Sequence, residues 1–294
     1  MVSVKAVRTK RQPAGRLRSR GFDRWAACRA DHTVDICVFS IGEKRPERIV
    51  PGEPFRELQV LLITRKGPPF EGMNAFPGGY LNLDETLIQA AHRELGEETG
   101  VSGIYLEQLR TYDAVDRDPR RRTISTAFIG LVRPSLKDRV QAGSDAYGAR
   151  WFPVDELLGQ TSPEKAQTAP GKRSLAFDHD QILRDAVERL RNKVDYTLLA
   201  FQLLPEEFTM SDLRQTYEAI LGEDLGTFDE GKKANFQRSI NRINERFGRE
   251  SEATTGVRRG ILIPTSRKAP KRPGSRGPAG DLYRFAGCVT TVTK

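Results

Sequence analysis

Cysteine is scarce in this sequence: Cys28, Cys37 and Cys288 are the only three in a chain of 294 residues. Their number is odd and no pair has CxxC spacing, which argues against a disulfide framework and a cysteine zinc site and leaves ordinary reduced thiols. Histidine is equally sparse. His92 and His179 have no second His or Cys at metal-ligand spacing, so packing or hydrogen bonding is the role expected of both. No apolar run approaches the roughly 20 residues of a membrane helix, so no membrane partner is expected and the cytoplasm is the default location. No internal repeat is visible. Acid is nearly missing from two segments: residues 1–24 and 256–284 each hold eight Lys/Arg against one Asp. With a net charge of +9 overall, these two segments at +7 apiece leave −5 for the other 241 residues. The basicity is therefore segmental, as in patches made for a polyanion or in solvated basic tails. Residues 1–24 lack the apolar stretch of a secretory signal. An organellar transit peptide, an overcalled start codon and a disordered arm all fit them, and the arm is the reading adopted.

The length is enough for two domains with cores of their own, and 37% hydrophobic with 30% charged residues is the composition of a soluble globular protein. From residue 32 to about 153 the pattern is strand-like with one helical interruption. VDICVFSI (34–41), LQVLLITR (58–65), YLEQLRTYD (105–113), TISTAFIGLV (123–132) and ARWFPV (149–154) are rich in β-branched and aromatic residues. Between the second and third, Leu87, Ile88, Ala91 and Leu95 recur at helical spacing, with Asp84 as the expected N-cap and Gly100 as the stop. After a Ser/Pro/Gly-rich loop, HDQILRDAVERLRNKV (179–194) carries a continuous apolar stripe and closes a mixed α/β domain, placed at 25–194.

The remainder, 195–290, reads differently. YTLLAFQLL (196–204) predicts a short helix ended by Pro205. TMSDLRQTYEAILG opens with Thr209 and Asp212 in a capping arrangement and stops at Gly222. KKANFQRSINRINERF follows, with Phe236, Ile240, Ile243 and Phe247 spaced as a helical stripe, and a basic hairpin ends in DLYRF. Three helices and a hairpin outline a winged helix. Opposite the apolar stripe of the third helix stand Lys233, Gln237, Arg238, Asn241 and Arg242, side-chain types suited to base edges and phosphates. Arg267, Lys268, Lys271, Arg272 and Arg276 would give the wing its phosphate contacts. A solvated basic helix and tail is the competing reading.

One stretch runs against the basic character: Asp84, Glu85, Glu94, Glu97 and Glu98 follow a double glycine, Gly78-Gly79. Glu94 lies three residues from Glu97 and four from Glu98, so a helix puts three repelling carboxylates on one face. A hard divalent cation, Mg²⁺ or Mn²⁺, would relieve that repulsion; an exposed acidic helix face is the plainer alternative. From Gly79, however, the order of Glu85, Arg93, Glu94, Leu95, Glu97, Glu98, Gly100 and Val101 resembles, at every fixed position, the box G-x5-E-x7-R-E-U-x-E-E-x-G-U of the Nudix family, with U aliphatic. The resemblance implies that Glu94, Glu97 and Glu98 ligate the cation, that one of the last two orients or deprotonates water, that Gly79 offers a carbonyl to the metal, that Arg93 pins the carboxylates and that Glu85 supports loop or metal. Such enzymes hydrolyse a nucleoside diphosphate linked to a second group.

DRDPRRRTIS (116–125) resembles a segment of the ADP-ribose-type Nudix subgroup, which makes Arg117 and Arg120 phosphate or ribose contacts, unless they sit on an exposed Arg-rich turn. Arg65 is a further phosphate candidate. Phe70 is a candidate to stack on adenine, Phe76 suits the core better, and Asp145 lies where relatives place a catalytic acid. LAFDHDQILRDAVERLR (175–191), YTLLAFQLLPEEFTMSDLRQTYEAILG and the terminal LYRF resemble the Nudix-related transcriptional regulators of bacterial NAD metabolism. The expectation that follows is an α/β Nudix sandwich and a C-terminal winged helix: a homodimer binding ADP-ribose or a related nucleotide, hydrolysing it with Mg²⁺, and binding double-stranded DNA in response. The alternative is a plain ADP-ribose pyrophosphatase whose C-terminal domain serves assembly or RNA contact.

Overall fold

The structure, a computed structural model, describes residues 30–45, 55–137, 139–140, 146–160, 175–194, 196–223, 225, 230–255, 260–269 and 280–286. The basic segment 1–24, Asp145, Lys271, Arg272, Arg276, Cys28 and Cys288 lie outside them. All that follows belongs to the unit Asp31–Lys294.

The first half is built around β1 (Asp31–Glu43), which belongs to a seven-stranded mixed sheet with β2 (Arg56–Arg65), β3 (Asn74–Ala75), β4 (Gly78–Tyr80), β5 (Tyr105–Tyr112), β6 (Thr123–Leu131) and β7 (Ala146–Pro153). On one edge β1 pairs antiparallel with β4 through residues 33–35 and with β2 through residues 38–43; on the other it runs parallel to β6. The apolar run in β1 is explained by burial on both faces. Val34, Ile36 and Val38 enter one core with Leu95 of α1 (Leu87–Thr99), while Cys37, Phe39 and Ile41 enter the other with Ile182, Leu183 and Val187 of α4 (His179–Val194). Cys37 is a free thiol, as the odd cysteine count and missing CxxC spacing implied, and it is buried. Two short helices, α2 (Pro134–Lys137) and α3 (Val154–Gln160), flank β7; the sequence pattern gave no sign of α2, which is a single turn.

Helix α1 starts later than expected. Thr86, not Asp84, is the N-cap: its hydroxyl accepts the Gln89 N–H and the Gln89 side chain accepts the Thr86 N–H, a reciprocal capping box. Gly100 ends the helix at φ 70, a left-handed conformation that favours glycine. The buried face is Ala90, Ala91, Leu95 and Thr99, with Leu87 and Ile88 only packed at its margin.

Beyond α4, YTLLAFQLL forms only one short helix, α5 (Leu199–Gln202), because Leu203 and Leu204 turn into the core and Pro205 follows. Strand β8 (Glu207–Phe208) leads into α6 (Met210–Leu221), capped by Thr209 with Asp212 as anticipated and ended by left-handed Gly222. Helix α7 (Glu230–Thr255) runs past the apolar stripe that ends at Phe247, and Arg249, Glu250, Glu252 and Ala253 beyond it are exposed. β9 (Leu262–Lys268) and β10 (Asp281–Phe285) pair antiparallel, and β10 also pairs with β8. The helices and this small sheet make the winged-helix layout. They do not stand apart: Leu190 and Val194 of α4 share one buried cluster with Phe201, Leu204, Phe208, Tyr217 and Ile240.

Candidate functional site

The glycine pair is required by close packing. A Cβ on Gly78 would lie 2.2 Å from the Val34 carbonyl oxygen, and one on Gly79 would lie 2.2 Å from a Glu94 carboxylate oxygen. The backbone of β4 can therefore press against β1 on one side and the acidic face of α1 on the other. Arg93 organises that face. Its guanidinium donates to both oxygens of Glu85 (2.6 and 3.0 Å), to Glu94 (2.7 Å), to Glu97 (3.2 Å) and to the Tyr80 carbonyl (2.9 Å). Hydrogen bonds from Arg93 and from the Asn82 N–H draw the Glu85 carboxyl down to about 2. Glu85 is thus a clamp for Arg93 and the loop. Glu98 accepts the Gly78 N–H at 2.8 Å.

Glu94 is under the opposite influence. Burial pushes its carboxyl up, Glu97 and Glu85 add to the rise, and Arg93 only partly offsets it. Glu94 and Glu98 face a cavity of about 550 Å³ with Gly79 beside them. Glu97 is turned outward, its side chain 62% exposed. Among the described residues no three His, Cys, Asp or Glu side chains already converge as a ready metal cluster. Carboxylate and carbonyl oxygens are nonetheless a donor set for a hard divalent cation, and Glu94 carries repulsion that such an ion would relieve, so the residues fit the group.

The same cavity is lined farther along by Arg65, Lys66, Phe177, Asp118 and Arg120. Asp118, itself buried, accepts the Arg120 backbone N–H (3.0 Å) and holds its guanidinium through Nε (3.0 Å) and Nη2 (2.8 Å), leaving the guanidinium part-exposed at the wall. Arg65 donates through Nε to the Pro69 carbonyl at 2.9 Å and lies 4.8 Å over the Phe177 ring. Burial lowers its pKa and the nearby Arg120 lowers it further, partly offset by Asp118, Glu98 and Asp35.

Arg117 lines the cavity too but is spoken for. Its side chain is 3% exposed and its guanidinium binds Asp178 (2.7 and 3.0 Å) and Asp35 (3.1 Å). It joins the β5–β6 loop to β1 and to the residue that precedes α4. Sequence reasoning missed the network below it. Burial pushes the Asp35 carboxyl up, but His179, Arg117 and the Ser125 hydroxyl outweigh it and hold it well below the usual carboxylate range. His179 accepts the Phe76 N–H on Nδ1 at 3.0 Å, so its proton belongs on Nε2, which points at Asp35 from 3.3 Å. The signal was a lone aspartate inside the apolar run VDICVF. Phe76 is buried and stacks on His179, and Phe70 meets Phe177 edge-on at 5.0 Å. His92 is half-buried on α1.

In the second half, Lys233, Arg238, Asn241 and Arg242 are exposed along α7, with Gln237 half-buried and donating to Asn241 at 3.2 Å. Arg238, Asn241 and Arg242 border one shallow surface hollow. Arg267 and Lys268 stand at the base of the wing on β9, each paired with a carboxylate, Glu207 and Asp281 respectively.

Comparison with known proteins follows this division. The NUDIX domain model matches residues 50–175, and the model of the NrtR DNA-binding winged helix domain matches residues 200–260. The chain is 31% identical over 258 residues, 86% of its own length and 81% of the relative's, to the ADPR responsive transcriptional repressor NtrR of Acinetobacter baylyi. It is 36% identical over 140 residues, 48% of its length and 72% of the relative's, to the ADP-ribose pyrophosphatase of Methanocaldococcus jannaschii. Among solved structures, NrtR of Shewanella oneidensis complexed with a 27mer DNA is similar with a TM-score of 0.61 at 26% identity, over 86% of this chain and 92% of that one.

Proposed function

Because the chain belongs to the family of NrtR-like regulators, which join a Nudix domain to a DNA-binding winged helix, we propose that it is an ADP-ribose-responsive transcriptional repressor that retains diphosphatase activity. The observation that carries the ligand half is one cavity lined by both Glu94 and Glu98 of the intact box and the Arg65 and Arg120 pair. A nucleoside diphosphate joined to a sugar needs both: cationic donors for its phosphate oxygens, and a carboxylate set that would hold the divalent cation bridging to them.

Nudix hydrolases generally use a divalent metal, and Mg²⁺ or Mn²⁺ is the ion proposed. Glu94, Glu98 and the Gly79 carbonyl would hold it, with Glu97 completing the set; when bound it would polarise a phosphoryl oxygen and lower the pKa of water. Arg65 and Arg120 bind and orient the diphosphate, Asp118 fixes the direction of Arg120, and Arg93 keeps the glutamates in register. Asp145 is proposed as an additional acid near the reacting phosphate. The products are AMP and ribose 5-phosphate.

The DNA half rests on α7, whose exposed Lys233, Arg238, Asn241 and Arg242, with Gln237, form the reading face, and on the wing residues Arg267, Lys268, Lys271 and Arg272 for phosphates. We assign 25–194 to the Nudix domain, 195–290 to the winged helix and 1–24 to a basic arm, with two chains reading a palindrome in the cytoplasm. Among the described residues no helix is long and apolar enough to cross a membrane. If nucleotide binding weakens DNA binding, DNA weakens nucleotide binding by the same factor. A gel shift on the protein's own promoter, with and without ADP-ribose, tests the reading. Release of the DNA by ADP-ribose is expected, and indifference to DNA in both conditions would overturn it. The intact box favours a second reading, a pyrophosphatase whose C-terminal domain serves assembly or RNA contact; rapid turnover of ADP-ribose without any DNA shift would establish it.

A further inference from the structure

We propose that Glu207 sets the strength of DNA binding by competing with phosphate for the arginines of the wing. The inference rests on the DNA-binding reading above. Glu207 opens β8 and lies directly opposite Arg284 of β10. One of its carboxylate oxygens accepts from Arg284 Nε (2.9 Å) with Nη2 of the same guanidinium 2.7 Å away, and the same oxygen also accepts from Nη2 of Arg267 on β9. The two arginines are 63% and 50% exposed at the side chain, whereas Glu207 is 17% exposed. One acid thus sits beneath two outward-facing guanidiniums drawn from both strands of the wing. A second pair repeats the arrangement nearer the tip, where Lys268 donates to Asp281, its partner in the β9–β10 register.

A carboxylate in this position does two things to an approaching duplex. It must be partly displaced before either arginine can turn fully to a phosphate, and its charge repels that phosphate. The Glu207 cluster keeps one unit of positive charge from three ionised groups, enough to attract DNA but less than the wing's cation count suggests. Wing contacts go to the backbone and carry no sequence information, so removing the acid should strengthen cognate and random DNA alike.

Glu207→Gln keeps an acceptor oxygen for the arginines and removes only the charge. The measurement is the DNA dissociation constant across a salt series, on the promoter site and on a scrambled duplex, for the full chain. For Glu207→Gln the slope of log K against log salt should steepen by about one and affinity at about 0.1 M salt should rise up to roughly tenfold, since each phosphate neutralised contributes about 0.9 to the slope. The gain should be equal on both duplexes. Asp281→Asn, an exposed change that frees Lys268, should move the slope the same way and carries the test if Glu207→Gln melts early. A folded Glu207→Gln protein with unchanged or weaker binding would show that Glu207 merely staples the wing. No DNA binding by the parent chain at any salt would instead remove the reading on which the inference stands.

Discussion

The ion pair between Arg56 and Asp212 ties β2 to α6, the proposed nucleotide half of the chain to the proposed DNA half, and its removal should be felt in the coupling between them. Arg56 is the first residue of β2 and Arg65, at the cavity, is the last. The strand therefore spans roughly 30 Å between the two sites at about 3.3 Å per residue. Arg56 Nη2 lies 2.7 Å from Asp212 Oδ1, with side chains only 17% and 15% exposed. The other oxygen of Asp212 accepts the backbone N–H (2.8 Å) and hydroxyl (2.7 Å) of Thr209, closing the capping box of α6. Exposed pairs contribute roughly 0.2–1 kcal/mol and breaking a fully buried one costs roughly 3–5 kcal/mol. This pair lies between, so about 1–2 kcal/mol of coupling is expected. Asp212→Ala also removes the reciprocal half of the capping box, leaving the Thr209 N–H without that acceptor, so the single substitutions should differ, with Asp212→Ala the worse. The assay is a double-mutant cycle with Arg56→Ala by urea unfolding, coupled with the promoter shift. Additivity to within about 0.5 kcal/mol would refute the claim that the contact is energetically real. If the coupling is real, Arg56→Ala should keep its DNA affinity but respond less to ADP-ribose. An undiminished response would mean that the ligand signal travels by another route.

Further outcomes follow from the site. Gly79→Ala places a methyl 2.2 Å from the Glu94 carboxylate, so turnover of ADP-ribose should fall at least about 100-fold while circular dichroism shows a folded chain; near-normal turnover would mean that Glu94 has another working position. Glu97→Gln should abolish Mg²⁺-dependent hydrolysis and leave the promoter shift intact, and loss of both would assign Glu97 to folding. Arg120→Ala should weaken ADP-ribose binding by roughly 10- to 100-fold, the loss of a charge-assisted contact, whereas Arg117→Ala should chiefly lower the melting temperature; calorimetry separates them, and the reverse pattern would sink the assignment. Asp35 titrates below its unfolded value, so it contributes stability above the ordinary carboxylate range that is lost as pH falls through its folded pKa. Asp35→Asn should therefore flatten the acid limb of stability below about pH 4, near the ordinary aspartate value, and an unchanged limb would show that other acids dominate.

Much of this was legible in the sequence because the relevant physics is local. The α4 stripe announced the residues that are buried, Thr209 and Asp212 cap α6 as their spacing implied, and Gly100 and Gly222 stop their helices in left-handed conformations. The order of charges from Gly79 to Glu98 identified the acidic end of the cavity. What the sequence hid depends on partners far along the chain. Arg117 and Arg120 look alike in DRDPRRR, yet one is buried against Asp35 and Asp178 while the other is presented by Asp118. Nothing in the local spelling separates them. Asp84 and Thr86 could each cap a helix; Thr86 prevails because Gln89 is there to return its N–H bond. The strands β3 and β4, two and three residues long, have no period of their own and exist because β2 and β1 offer them an edge.

The buried cluster that runs from Leu190 and Val194 into Phe201, Tyr217 and Ile240 gives the two halves of the chain one interior. Two bodies on a tether could communicate only by changing how often they meet. With a shared interior, a shift of α4 would have to be followed by α5, α6 and α7, or apolar surface would be left bare. The winged helix is then not a module to be cut free and studied alone, since a chain severed after Val194 would expose on each piece the surface that now joins them.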